Sequence, residues 1–474
     1  MRRSRVNLVS LWFVLLWASA PAVAADLDIY GNQPAPMPVP DPGPAPAPPP
    51  VNAGYGGAEA SGYVPPPPQP YTMVAPQQPY IGTPERPKIR RRPVVDPYNV
   101  YGFDDGAFEL RPTLQIGGIS SDNVYLTPNN RQSDIGVEIR PSLSWASKWP
   151  VHAWTGSVSV DWLRFASHPD GNRITGEAST AFKLDISRWT YAEFNLFGGI
   201  SNSSAGQADV PYNASNARQD TTYGTSIGYA HDFGGWVGLA TLGASRNAYG
   251  DVTLNNGTVI GNSDMNYWSP SLTLKGTLGN DGATIRPFGQ VTYDMRFHDS
   301  AQDRTGTYRN SQGLGAALGL QLSDGKIWAG SVAAVLMTRH YADAKLTDAW
   351  VPGVAATVNW SPANLWLVTA TTGVAVNDSV QAGVSSSSVW NAGLNTSYNL
   401  RDNLILRSGV TLGISASGSG VGTDKTTVAQ IGADWQMNPN TVFSATVQNT
   451  WFRTPSGNYN YDEQRAYVGV TLRP

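Results

Sequence analysis

Residues 389–416 read Val-Trp-Asn-Ala-Gly-Leu-Asn-Thr-Ser-Tyr-Asn-Leu-Arg-Asp-Asn-Leu-Ile-Leu-Arg-Ser-Gly-Val-Thr-Leu-Gly-Ile-Ser-Ala. Trp390, Ala392, Leu394, Thr396, Tyr398 and Leu400 share one parity; Asn391, Gly393, Asn395, Ser397 and Asn399 share the other. A period of two puts these sets on opposite faces of a strand. After the polar break Arg401-Asp402-Asn403 the alternation resumes, with Leu404, Leu406, Val410, Leu412 and Ile414 opposed by Arg407, Gly409, Thr411, Gly413 and Ser415. The stretch predicts one antiparallel hairpin with an oily face and a wet face. Each limb is longer than a usual soluble strand and about as long as a tilted strand must be to cross a bilayer.

The unit recurs. Eighteen strands are predicted, near 107–119, 133–146, 151–166, 173–187, 189–201, 218–232, 235–249, 264–278, 283–298, 307–322, 326–341, 347–360, 364–377, 386–400, 403–416, 424–437, 440–453 and 463–473. Short breaks such as Ser187-Arg188, Gly234-Gly235 and Asn438-Pro439 alternate with longer ones such as 120–132, 202–217 and 251–263. Short turns on one rim and long loops on the other mark an outer-membrane barrel, and an even strand count closes the sheet without a free edge. The expected fold is therefore all-β, a transmembrane antiparallel up-and-down β-barrel of about 18 strands. Prolines 112, 141, 270, 287 and 352 fall inside the strands and argue against it, because proline donates nothing to a ladder.

Composition agrees with a barrel. Charged residues are 14% of the chain, against roughly a quarter in soluble proteins. The N-terminus places Arg2, Arg3 and Arg5 before an apolar core, Val6 to Ala20, and small residues before a cut after Ala24, the layout of a secretory signal peptide. Cleavage there leaves 29 basic against 35 acidic side chains, a net −6. Such a chain is a poor nucleic-acid binder. Residues 25–97 hold 21 of the 35 prolines and read as a disordered periplasmic spacer, with the barrel occupying 98–474. Near the spacer's end, Lys88, Arg90, Arg91 and Arg92 read as a solvated charge run or as a basic contact for peptidoglycan or anionic lipid.

Side chains divide by parity. Of the fourteen Trp after the cut, nine lie near short turns: Trp145, Trp149, Trp154, Trp189, Trp236, Trp328, Trp360, Trp366 and Trp435. They are expected to form an aromatic belt at one membrane interface. Glu109, Arg111, Glu138, Arg140, Asp161, Glu177, Lys183, Arg286, Asp294, Arg296, Arg407 and Asp434 take the opposite parity and are expected to line the lumen. Charges of both signs there suit a watery interior, whereas any single pair reads first as a structural bond between strands and only a ring at a constriction would select solutes.

Enzyme chemistry finds little support. There is no cysteine, and His152, His168, His231, His298 and His340 show no zinc-ligand spacing. No catalytic residue, metal site or cofactor is expected.

The run from Gly106 to Pro474 resembles the putative beta-barrel porin type 2 family of proteobacterial outer-membrane proteins. The resemblance is carried by Leu110-Arg-Pro-Thr-Leu-Gln-Ile-Gly-Gly, Ser121-Asp-Asn-Val-Tyr, Ser133-Asp-Ile, Ile139-Arg-Pro-Ser-Leu-Ser-Trp145 and Asp161-Trp-Leu-Arg-Phe-Ala. It implies a bacterial outer-membrane barrel, porin-like, with some relatives serving exopolysaccharide export. Such barrels usually end in an aromatic residue read by the insertion machinery, and here Pro474 stands last. Three functions are open at this point: an aqueous channel, a polysaccharide-export barrel working with a periplasmic partner, and an anchor between outer membrane and cell wall.

Overall fold

The computed structural model describes residues 102–203, 217–254, 256–279, 283–323, 327–363, 365–379, 384–417, 423–455 and 460–473; the proposed leader, the Pro-rich segment and the Lys88–Arg92 cluster lie outside them. Eighteen long strands follow in order: β1 (Phe108–Ser121), β2 (Asp134–Ser147), β3 (Ala153–Phe165), β4 (Arg173–Ser187), β5 (Thr190–Ser203), β6 (Arg218–Asp232), β7 (Trp236–Tyr249), β8 (Tyr267–Leu278), β9 (Ile285–His298), β10 (Ser311–Ser323), β11 (Trp328–Tyr341), β12 (Ala349–Trp360), β13 (Trp366–Asp378), β14 (Ser386–Arg401), β15 (Leu404–Ser417), β16 (Thr423–Asn438), β17 (Thr441–Arg453) and β18 (Tyr461–Leu472). Each pairs antiparallel with its neighbours in sequence, and β18 returns to β1 from Leu114↔Leu472 to Ser121↔Arg465. The sheet is a closed barrel. A stub, Phe103–Asp104, pairs with Leu110 and Glu109 of β1, below the point where β18 ends.

Eighteen strands about 4.8 Å apart and tilted about 40° give a round wall of roughly 35 Å backbone diameter. The outer face is apolar: Leu242, Leu318, Ile431 and Val468 are all more than 60% exposed, which no soluble protein tolerates over a whole circumference. Nine of the tryptophans ring the short-turn rim. There Trp328 stacks on Trp360 at 5.6 Å, and Trp435 on Phe443 at 5.5 Å. Trp162, Trp268, Trp350 and Trp451 form a second outer girdle near the long loops, which the short-turn count did not anticipate. Trp350 and Trp360 stand ten residues apart on β12, or about 25 Å of height once tilt is allowed for, the thickness of an outer-membrane apolar band.

The five prolines are accommodated without loss. Each points outward and pairs normally on one side, while its other side faces a gap or an end in the ladder. Pro112 lies beyond the end of β18, and Pro287 beyond the last pair with β8. The β2–β3 ladder skips from Ile139↔Trp162 to Ser142↔Ser159 around Pro141, and the β8–β9 ladder skips from Trp268↔Phe297 to Ser271↔Asp294 around Pro270. Pro352 borders the largest gap. A missing N–H is harmless where no partner carbonyl waits.

That gap lies between β12 and β13, which pair only from Ala356↔Thr372 to Trp360↔Val368. Above it β13 leaves the wall at Gly373. Val374 and Val376, on the lipid-facing parity of their strand, are instead buried against the inner side of the wall, over Phe288, Ala333, Val335, Val351 and Ala355. Small inward residues make the room: Gly315, Ala317 and Gly319 on β10, and Gly353 on β12, where an added Cβ would stand 2.7 Å from Val374 Cγ1. The indole N–H of Trp390 on β14 points at the Pro352 carbonyl at 3.5 Å, across the gap.

Gly330 on β11 has φ +146°, and a Cβ there would lie 2.0 Å from the Thr357 carbonyl oxygen. Gly330→Ala is expected to cost about 3 kcal/mol or more of folding stability, read as a lowered urea midpoint in vesicles. An unchanged midpoint would show that β11 and β12 do not approach as described.

Candidate functional site

The candidate site is the inner wall. Alternation alone turns one side chain in two toward the lumen, and each of the twelve charged residues singled out from the sequence stands on that inward parity. Most are joined to a neighbour. Arg140 reaches Asp161 at 2.7 Å and also Glu138, with Gln115 at 3.4 Å. Arg407 meets Asp434, whose Oδ1 accepts from Ser444 at 2.7 Å. Glu109 pairs with Arg111 at 2.7 Å, and Lys183 with Asp185 at 3.6 Å while lying over the Tyr191 ring. Glu177 accepts from Ser159 at 3.3 Å, and Arg286 donates to Gln321 at 3.1 Å. Hydrogen-bonded pairs of this kind relieve the cost of removing charge from bulk water.

The remaining two, Asp294 and Arg296, belong to a larger assembly on the β9–β11 wall. Asp294 pairs with Arg339 of β11 above Gly313, where a Cβ would stand 2.4 Å from the carboxylate. Arg296 reaches Asp378 at 2.6 Å and donates to the Val376 carbonyl at 2.9 Å. Asp378 sits at the tip of the displaced β13, four strands from β9. The Tyr341 hydroxyl is 2.9 Å from the same carboxylate and 3.0 Å from the Ser385 carbonyl. Arg309, in the loop after β9, donates to the Ser379 carbonyl at 2.6 Å and the Val384 carbonyl at 3.2 Å. Asp303 anchors that arginine at 2.6 Å. Burial alone raises the Asp303 carboxyl, but donors from Thr305, Arg309 and Thr307 outweigh it and hold it at about 2.

This arrangement is a latch. Arg296 and Tyr341 of the wall, with Arg309 of the loop after β9, bond the end of β13 and Ser379, Val384 and Ser385, and so hold the upper half of β13 against the inner wall. Parity reasoning reached Asp294 and Arg296 but not their partners. Arg339 shares inward parity with Ala333 and Val335, so alternation carries a signal for it. Asp378 stands on the lipid parity, and no local pattern marks its inward turn.

A family profile described as Putative beta-barrel porin 2 matches residues 96–474, which contain the whole closed sheet. The chain belongs to that family. Membership makes this porin-type barrel an outer-membrane protein, its outer face in contact with lipid. No curated protein matches the sequence. Among solved structures, the outer membrane protein opdK of Pseudomonas aeruginosa aligns at 11% identity over 77% of this chain and 99% of that one, with a TM-score of 0.38. A mutant of the ferric enterobactin receptor of the same organism aligns at 8% identity over 77% and 80%, TM-score 0.36. The siderophore receptor PirA of Acinetobacter baumannii aligns at 7% identity over 77% and 80%, TM-score 0.35.

Proposed function

We propose that this barrel is a passive aqueous channel for small hydrophilic solutes across the outer membrane, narrowed on one side by the inward-held upper half of β13. The observation that carries the reading is the inner wall itself: charged and amide side chains of both signs around a cylinder about 35 Å wide, which wall side chains alone do not fill. Charges buried by a solid plug would face a larger desolvation cost than charges beside water. Export of polymer and attachment to the cell wall draw on no observation in the described residues.

In this reading the chain is cut after Ala24, residues 25–97 lie in the periplasm, and Lys88, Arg90, Arg91 and Arg92 are a solvated charge run or a basic contact for anionic lipid or peptidoglycan. The insertion machinery reads β18, whose outer parity carries Val468, Val470 and Leu472. No cofactor takes part in conduction.

Purified protein added to a planar bilayer is expected to insert in discrete conductance steps that scale with salt concentration. Folded, heat-modifiable protein that inserts without conducting would remove the channel reading.

A further inference from the structure

The upper half of β13 does not sit where its own pattern puts it. Val374, Val376 and Asp378 continue the parity of Trp366, Val368 and Ala370, yet they press against the inside of the wall. Carried upward, the β12–β13 register would pair Val354 with Val374, Pro352 with Val376 and Trp350 with Asp378. Both valines would then meet lipid, as their alternation requires, and the upper edge of β12 would regain a partner where an unpaired backbone is expensive. The alternation of the segment thus fits a position on β12 other than the one the structure holds.

What β13 covers in the held position has a definite chemistry. An apolar strip, Phe288, Ala333, Val335, Val351 and Ala355, ends at the Arg296 guanidinium and the Tyr341 hydroxyl. Onto it β13 lays two aliphatic side chains and, two residues on, a carboxylate whose side chain is only 6% exposed. An aliphatic chain ending in a carboxylate would present the same groups to the same surface.

We propose that the inner face of β9–β12 is a binding site for an aliphatic monocarboxylate, which β13 fills with its own Val374, Val376 and Asp378 until an external acid displaces it and β13 zips onto β12. The proposal deepens the channel reading by naming a solute class, and it rests on that reading only for its consequence in transport. Arg296 is 12% exposed, so it cannot lose its anion cheaply, and β13 leaves readily only when another carboxylate arrives. A neutral apolar molecule leaves the guanidinium unpaired, and a short acid leaves the strip uncovered. Only a ligand with both parts favours the zipped state over the held one.

The chain has no cysteine, so Val354→Cys with Val374→Cys gives a clean reporter: a disulfide between register partners forms when β13 is zipped. The full chain in phosphatidylethanolamine–phosphatidylglycerol vesicles is oxidised with decanoate, acetate or decanol. Decanoate is expected to raise the cross-linking rate at least fivefold, and acetate and decanol to leave it unchanged. Asp378→Asn, which weakens the internal anion, is expected to lower the half-maximal decanoate concentration at least tenfold. The proposal is overturned if decanoate has no effect, if decanol matches it, or if Asp378→Asn leaves that concentration unchanged. Should the cysteine pair not fold, saturable binding of decanoate to the cysteine-free protein, tightened at least tenfold by Asp378→Asn, supports the site, and non-saturable partition or an unchanged affinity refutes it. Neither readout needs current to flow. A barrel that never conducts sinks the channel reading alone, and one that conducts but ignores decanoate sinks this proposal alone.

Discussion

Arg296→Ala should hold the channel in a higher-conductance state. The substitution strips the Asp378 carboxylate of its 2.6 Å partner and the Val376 carbonyl of its donor, both in a buried setting. Removing one member of a buried ion pair typically costs about 3–5 kcal/mol, because the other charge is left without compensation. Charged to the held position of β13 alone, that cost shifts the balance between held and released forms by about two to four orders of magnitude. The pairs Asp294–Arg339 and Asp303–Arg309 stay in place, so the wall remains intact while its displaced strand loses its grip. Single-channel recording in planar bilayers checks this: a larger unitary conductance, or long openings where the parent flickers, is the expected outcome. Currents indistinguishable from the parent would show that β13 does not narrow the path.

On the opposite side of the barrel, Arg140→Met is expected to cost stability and not gating. Arg140 bridges Glu138 on its own strand and Asp161 on β3, and its loss leaves two carboxylates facing each other beside the ladder interruption at Pro141. The expected penalty is again about 3–5 kcal/mol, read in urea titrations of the barrel folded into vesicles at neutral pH. Adding Glu138→Gln and Asp161→Asn to the same chain should recover most of it, since the uncompensated charge, not the lost arginine contact, carries the cost. A single variant as stable as the parent, or a triple variant no better than the single, would contradict this account of the cluster.

Much of the architecture is written in the alternation of the strands. Leu404, Leu406, Val410, Leu412 and Ile414 share the lipid-facing parity, and Arg407, Gly409, Thr411, Gly413 and Ser415 the inward one, as the period-two pattern requires. Strand ends were less legible where loop chemistry extends the structure. The predicted start at 307 falls in the hydrogen-bonded turn of Asp303, Thr305 and Thr307, and β10 begins at Ser311. The prolines misled because a sequence shows which residue lacks a donor, but not that the neighbouring ladder is broken at that point. For the candidate site, parity finds which side chains turn inward and nothing of which meet. Arg296 and Asp378 are 82 residues apart and join only because β13 leaves the wall at Gly373. That departure contradicts its own local pattern, which is why no strand-by-strand reading reaches it.

Closure of the wall by the first and last strands underlies every statement about an inside and an outside. Ile116 on β1 and Val470 on β18 are register partners on the outer face. In full-length protein extracted as the folded, heat-modifiable species, Ile116→Cys with Val470→Cys should form an intramolecular disulfide in high yield. Moving the second cysteine to Val468 should abolish it. Absence of the first bond, or equal formation of both, would mean that β1 and β18 do not meet in this register and that the barrel is not the one described.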